Sequence, residues 1–451
     1  MQQRTIPIFP KIQARSVAGT FARWRWAMVW LTQLVFYGTP WLLLHGRQAV
    51  LFDFVSGRFF LFGAVLYPQD LVYLSGLLVI SALLLFFVSA MAGRLWCGFA
   101  CPQTVYTELF QWLELRTEGD RQRRLRLDRS AWTADKVLRR GSKHLLWALL
   151  SLWTGLTFVG YFTPVRDLFL TLPLATGSWE AFWILFYAAA TYFNAGYLRE
   201  SVCQHMCPYG RFQGSLMDSD TLYVAYDHQR PVGRCVDCTV CVQVCPVGID
   251  IRQGLQAACI SCGLCIDACN QVMDKLNAPR GLIRLASEAE LSGLRPRALT
   301  LWAHLRRRRV RIYGGLLLLA VVVVASAFAQ RSTLRVNAMR DRGVMARTVE
   351  GGAVENVYRL QVMNAQDRYR DLQVEVRGQD GLYLLNPVPL RMLPAQAQMV
   401  TLTVRLSAQQ VQRSAGQVLP IQFAVSEGAG DAAGASGGRS RAVTASTFIV
   451  D

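Results

Sequence analysis

Twelve cysteines fall between residues 97 and 269, and none lies outside that stretch. Eight of them form two runs, Cys235-x2-Cys238-x2-Cys241-x3-Cys245-Pro246 and Cys259-x2-Cys262-x2-Cys265-x3-Cys269. Three cysteines at this spacing sit on one tight loop that wraps three irons of a cubane, while the fourth lies beyond a turn and reaches the neighbouring cluster. The spacing therefore assigns Cys235, Cys238, Cys241 and Cys269 to one [4Fe–4S] cluster, and Cys245, Cys259, Cys262 and Cys265 to a second. Zinc is the competing reading, but four-cysteine zinc sites usually pair two C-x2-C units across a longer gap. The second run ends in Cys269-Asn270 without a proline, which leaves all four thiolates in place. A disulfide framework belongs to small secreted domains.

The other four cysteines form two matched pairs, Cys97-x3-Cys101-Pro102 and Cys203-x3-Cys207-Pro208. An i,i+4 pair shares one helical face. Each pair follows an apolar segment, so both are expected at one membrane edge, where four thiolates could converge on a metal or redox site. His205 and Met206 lie within the second pair, and soft sulfur ligands suit Cu(I) or iron–sulfur chemistry. Packed apolar cysteine and a reversible disulfide are the alternatives, and the sequence leaves open whether the pairs meet. None of the five histidines, His45, His144, His205, His228 and His304, sits mid-membrane, which argues against a bis-histidine haem. No G-x-G-x-x-G follows a strand, so there is no dinucleotide fingerprint.

The elements that must hold these residues read as membrane helices. The chain is 52% hydrophobic and 17% charged, below the roughly 25% charged of a soluble domain. Five stretches approach the ~20 apolar residues a crossing needs, near 27–44, 71–92, 145–162, 179–197 and 312–329; Phe59–Val65 is too short. The net charge of +18 is uneven. Lys and Arg crowd the N-terminal segment (1–26, with Arg4 and Lys11), the loop 93–144 and the segment 198–311, which ends in Arg306–Arg309 and Arg311. The positive-inside rule puts these in the cytoplasm and residues 330–451 in the periplasm. The Arg306–Arg309 run reads as a topology signal rather than a nucleic-acid patch. In the tail, Val357–Val362, Leu372–Val376, Val400–Leu406, Ile421–Val425 and a final stretch through Phe448 alternate with period two, predicting a small β-sandwich. The stretch Gly428–Ser440 reads as a mobile loop. The fold class is a multi-domain membrane protein: a bundle of about five transmembrane helices, a cytoplasmic α+β ferredoxin-like domain with two [4Fe–4S] clusters, and a β-sandwich.

Three blocks carry a resemblance: Trp96–Val105 continuing to Glu118–Arg121, Cys203–Gln213, and Cys235 through Cys245–Arg252 to Cys269 and Val272–Lys275. Together they resemble the cytochrome c oxidase accessory proteins of the CcoG, FixG and RdxA type, and the tail is similar to that family's immunoglobulin-like domain. The resemblance implies a bacterial inner-membrane protein that matures a cbb3-type haem–copper oxidase by reducing Cu(II) to Cu(I). Oxidase assembly components or copper chaperones would be its partners, and Cys97, Cys101, Cys203 and Cys207 its catalytic or copper-binding group. A quinol-linked electron-transfer module and a non-enzymatic redox sensor or scaffold are the other readings. No nucleic-acid partner is expected, and the electron donor is not identified.

Overall fold

The computed structural model describes residues 12–171, 177–294, 305–340, 346–366, 368–386, 389–427 and 441–450. Arg4, Lys11, His304 and the stretch Gly428–Ser440 lie outside them. The chain divides into two compact units, Met1–Leu42 with Leu74–Val324, and Leu43–Tyr73 with Ala325–Asp451.

The helices are α1 (Thr20–Gly38), α2 (Leu71–Ala92), α3 (Leu95–Phe99), α4 (Pro102–Thr117), α5 (Arg121–Arg129), α6 (Ala134–Val159), α7 (Val165–Thr171) and α8 (Ser178–Phe193). They continue as α9 (Pro208–Leu216), α10 (Val240–Gln243), α11 (Leu264–Lys275), α12 (Glu288–Leu291) and α13 (Arg308–Ala329). Among the described residues two helices are long and apolar enough to cross a membrane, Pro68–Ala92 and Arg308–Ala329. They lie against each other: the Phe86 and Tyr313 rings are 6.3 Å apart, and a Cβ on Gly76 would come within 2.7 Å of Val324.

The remaining expected spans take a different form. The first helix runs Thr20–Gly38 rather than 27–44. Arginine is a good helix former, so Arg23 and Arg25 do not delay its start, and Gly38-Thr39-Pro40 ends it in a 3-10 turn. The third begins at Ala134, where Thr133 accepts from the Lys136 amide, and its first turns are polar. The fourth, α8, has sixteen residues. The basic stretch 93–144 is not a loop but three helices and the start of α6. Two of its cations are buried in ion pairs rather than solvated: Arg124 bonds Glu114 at 2.8 Å and Lys143 bonds Glu118 at 2.8 Å, and Arg199 bonds the Glu114 carboxylate too, at 2.6 Å. Gly155 lets α6 approach α8, since a Cβ there would lie 2.4 Å from the Ile184 carbonyl oxygen.

In the second unit the tail forms two antiparallel sheets. One runs Leu382–Leu384, Ala397–Leu406, Ala353–Asn364, Leu334–Arg340; the other runs Leu390–Met392, Arg370–Arg377, Val418–Glu427, Arg441–Ile449. Every alternating stretch singled out in the sequence falls in one of these strands. Their inward residues, including Tyr358, Leu360, Val404, Phe423 and Phe448, are fully buried in one core. Residues 43–73 belong to the same unit. The run Phe59–Val65 is a β-hairpin, and Leu51, Phe60, Val65 and Tyr67 pack on Met363, Ala365 and Ala395. Asp70 pairs with Arg335 at 2.5 Å.

Candidate metal centres

The two C-x2-C-x2-C loops share one backbone. Asp237 and Thr239 in the first have positive φ, and so do Ser261 and Gly263 at matching positions in the second. Such conformations are rare for residues other than glycine and collect at functional sites. Each loop then enters a helix, α10 carrying Cys241 and α11 carrying Cys265 and Cys269. The helices bring the distant fourth cysteine back: Cys269 feels Cys241, Cys238 and Cys235, whereas Cys265 and Cys259 feel Cys262 and Cys245. The first set lines a cavity with Tyr226, Val240, Met273, Leu282 and Ile283. The second lines another with Val224, Val247, Ile249, Ile251 and Ile260. Four thiols facing an apolar void are a donor set that fits a [4Fe–4S] cluster. Burial pushes the Cys259 and Cys269 thiols up to about 11, and neighbouring cysteines add to this. Ionised together, they need a positive core among them, which iron supplies.

The two membrane-edge pairs do meet. The Cys97 thiol feels Cys101, Cys203 and Cys207, and Cys203 feels Cys101 and Cys207. Burial first, then these neighbours, pushes Cys97 up to about 12 and Cys203 up to about 11, with Arg94 opposing. None of the twelve cysteines is joined in a disulfide. His205 and Met206 are exposed, so the thiols rather than these side chains form the group. Cys97 sits in α3; Cys203 sits in a π-helical turn, Val202–Met206, that follows a second such turn at Asn194–Leu198. π-Turns of this kind cluster at functional sites. The group abuts the second ferredoxin loop: a Cβ on Gly98 would lie 2.7 Å from the Ile260 carbonyl oxygen and 3.0 Å from Cys262 Cα. Beside it opens a cleft of about 760 Å³ lined by Arg94, Cys203, Gln204, Gly210, Cys259 and Ser261.

Residues 198–234 and 228–288 match a 4Fe-4S dicluster domain, residues 74–126 a 4Fe-4S binding domain, and residues 324–451 the IG-like fold at the C-terminus of FixG. Protein RdxA of Cereibacter sphaeroides is 38% identical over 398 residues, 83% of each chain. Nitrogen fixation protein FixG of Rhizobium meliloti is 34% identical over 418 residues, 82% of this chain and 79% of its own. The chain belongs to the FixG/RdxA family. It is an iron–sulfur electron-transfer protein of that family. More distantly, the ferredoxin-type protein NapH of Escherichia coli is 28% identical over 229 residues, 47% of this chain and 70% of its own.

Two residues that tie α1 to its surroundings had no local signal. Arg25, buried in α1, bonds Glu108 at 2.7 Å and sets its positive charge near Cys262 and Cys245. Asp267, buried on α11, accepts from the Ala22 amide at 2.9 Å and so caps α1 from the ferredoxin domain. Each was legible only as a charge in an otherwise apolar context.

Proposed function

We propose that this chain is a multi-pass bacterial inner-membrane protein that passes electrons through two [4Fe–4S] clusters to its membrane-edge cysteines, where Cu(II) is reduced to Cu(I) for assembly of a cbb3-type oxidase. Cys235, Cys238, Cys241 and Cys269 hold one cluster, and Cys245, Cys259, Cys262 and Cys265 the other. The clusters supply one-electron carriers. The chain's own residues space them, bury them and set their exit. Cys97, Cys101, Cys203 and Cys207 are the catalytic group, and each Cu(II) that arrives there takes one electron. The observation that carries this reading is the seating of the Gly98 turn on the Cys262 loop, which puts the edge cysteines directly against the second ferredoxin group. Oxidase assembly components and copper chaperones are the partners, with membrane lipid around the helices.

Five crossings, α1, α2, α6, α8 and α13, place the clusters in the cytoplasm and the IG-like domain in the periplasm. Two features support this. The outward faces of α1, α6 and α8 expose Trp30, Leu34, Leu149, Leu152, Phe182 and Leu185, a larger apolar surface than soluble proteins leave uncovered. Residues 43–73 also share a compact unit with the C-terminal domain, as five crossings require.

The test is anaerobic. Purified, reduced protein receives stoichiometric Cu(II), and cluster reoxidation is followed against Cu(I) captured by a chelator. Matched stoichiometry, lost in Cys97→Ala and Cys203→Ala while both ferredoxin clusters remain, is the expected result. Reduced clusters that persist with no Cu(I) formed would sink the reading. The second reading, a quinol-linked module, is favoured by the 760 Å³ cleft at the same edge, and predicts instead that quinol analogues reduce the clusters in membranes.

A further inference from the structure

We propose that Cys97, Cys101, Cys203 and Cys207 together hold a third [4Fe–4S] cluster, between the dicluster domain and the membrane. The proposal rests on reading these four residues as a redox group and goes further by naming what they bind.

The two pairs are built alike. In each, one cysteine lies in a short helical turn, the next is the N-cap of a helix, and proline occupies the first helical position: Cys101-Pro102 heads α4 and Cys207-Pro208 heads α9. The two caps have similar extended backbones, with φ of −62° and −78° and ψ of 129° and 112°. Both helix N-termini therefore direct positive dipole ends toward the thiolates. The arms are latched reciprocally. Gln103, just after the first pair, donates to the Asn194 and Arg199 carbonyls at 2.9 and 3.0 Å, before the second pair. Gln213, fully buried after the second pair, donates to the Gly93 carbonyl at 2.7 Å, before the first, and its amide oxygen accepts from the Cys97 thiol at 3.6 Å. Arg94 joins both to the dicluster domain by donating to the Gly210 and Ala257 carbonyls. Reciprocal latches hold the two arms, each carrying two cysteines, against each other.

The spacing of the thiols argues against a single ion. Four thiolates on one tetrahedral ion, each at roughly 2.3 Å, lie within about 4 Å of one another. Among the described residues no three His, Cys, Asp or Glu side chains close on such a site. The eight ferredoxin-type cysteines behave the same way. The family matches point in the same direction. The 4Fe-4S binding domain matched at 74–126 contains Cys97 and Cys101 as its only cysteines, and the segment matched at 198–234 contains only Cys203 and Cys207. Neither supplies four ligands alone; the fold supplies them jointly.

The experiment is metal and acid-labile sulfide analysis of the full-length protein, purified and reconstituted anaerobically with iron and sulfide. Three clusters give about twelve iron and twelve sulfide per chain, against about eight for the dicluster domain. Cys97→Ser and Cys203→Ser should each lose about four iron, and should keep the two ferredoxin signals in electron paramagnetic resonance of the reduced protein. Cys235→Ser is the control that loses one of those signals and keeps the third cluster. Eight iron in the reconstituted wild type, or unchanged iron in both edge variants, overturns the proposal, as does stoichiometric copper or zinc in place of the missing iron. Cu(II) reduction by the same samples separates the two readings. Eight iron with reduction lost in the edge variants removes the third cluster but leaves their redox role. Twelve iron with reduction unaffected in those variants leaves the cluster and removes the copper role.

Discussion

Arg25 is the residue on which a single side chain most directly touches the redox chemistry. Its guanidinium is buried, anchored by Glu108, and places a positive charge near the Cys262 sulfur. A positive charge near a ligand sulfur stabilises the reduced, more negative state of a cluster. Arg25→Gln should therefore lower the midpoint potential of the cluster bound by Cys262. At an effective dielectric of ~20, a unit charge roughly 10 Å from the added electron contributes about 1.7 kcal/mol. Losing that charge should lower the potential by tens of millivolts at 59 mV per tenfold change. Potentiometric titration followed by electron paramagnetic resonance measures it. Equal shifts in both ferredoxin clusters, or no shift, would show that Arg25 serves only as an anchor. Arg25→Lys keeps the charge and should retain most of the potential.

Among the elements, α4, α5, α6 and the turns after α8 are held by the carboxylate of Glu114. It lies between Arg124 and Arg199, and all three are buried. Burial opposes ionisation of Glu114, but Arg199, Arg124 and Lys143 outweigh it and hold the carboxyl below its usual range. Glu114→Gln leaves two buried guanidinium groups short of a counter-charge and should cost ~3–5 kcal/mol, read as a lowered melting temperature in detergent. The same group predicts a pH response. A depressed carboxylate stabilises the fold fully above its unfolded pKa, near 4.5, and that stability drains away as pH falls toward and through the folded value. The wild type should therefore lose stability below about pH 4.5 more steeply than Glu114→Gln. Parallel curves would remove Glu114 from the acid response.

For the whole molecule, the decisive arrangement is the membership of residues 43–73 in the C-terminal unit. Segments packed in one core lie on one side of a bilayer. Single cysteines at exposed Ser56 and Gln373 should therefore both react with a membrane-impermeant maleimide in intact spheroplasts, while one at exposed Gln122 reacts only after permeabilisation. Labelling of Gln122→Cys without permeabilisation would reverse the sidedness. Labelling of Ser56→Cys and Gln373→Cys from opposite sides would break the five-crossing reading.

Sequence alone determined what short-range spacing controls. Cysteines two and three residues apart define a loop that wraps a cubane wherever it sits, so the ferredoxin chemistry was readable without coordinates. Period-two alternation likewise marked five strands of the tail, because one buried face imposes it on each strand separately, though it missed Leu334–Arg340. Where helices begin in a charged stretch was less legible: 93–144 looked like a basic loop because the sequence does not reveal that Glu114 and Glu118 bury Arg124 and Lys143 in ion pairs. The meeting of Cys97 and Cys101 with Cys203 and Cys207, the cap that Asp267 gives to α1, and the approach of Arg25 to Cys262 were decided only by the tertiary structure. Each joins residues far apart in the chain, and such contacts depend on how helices pack, which no local pattern records.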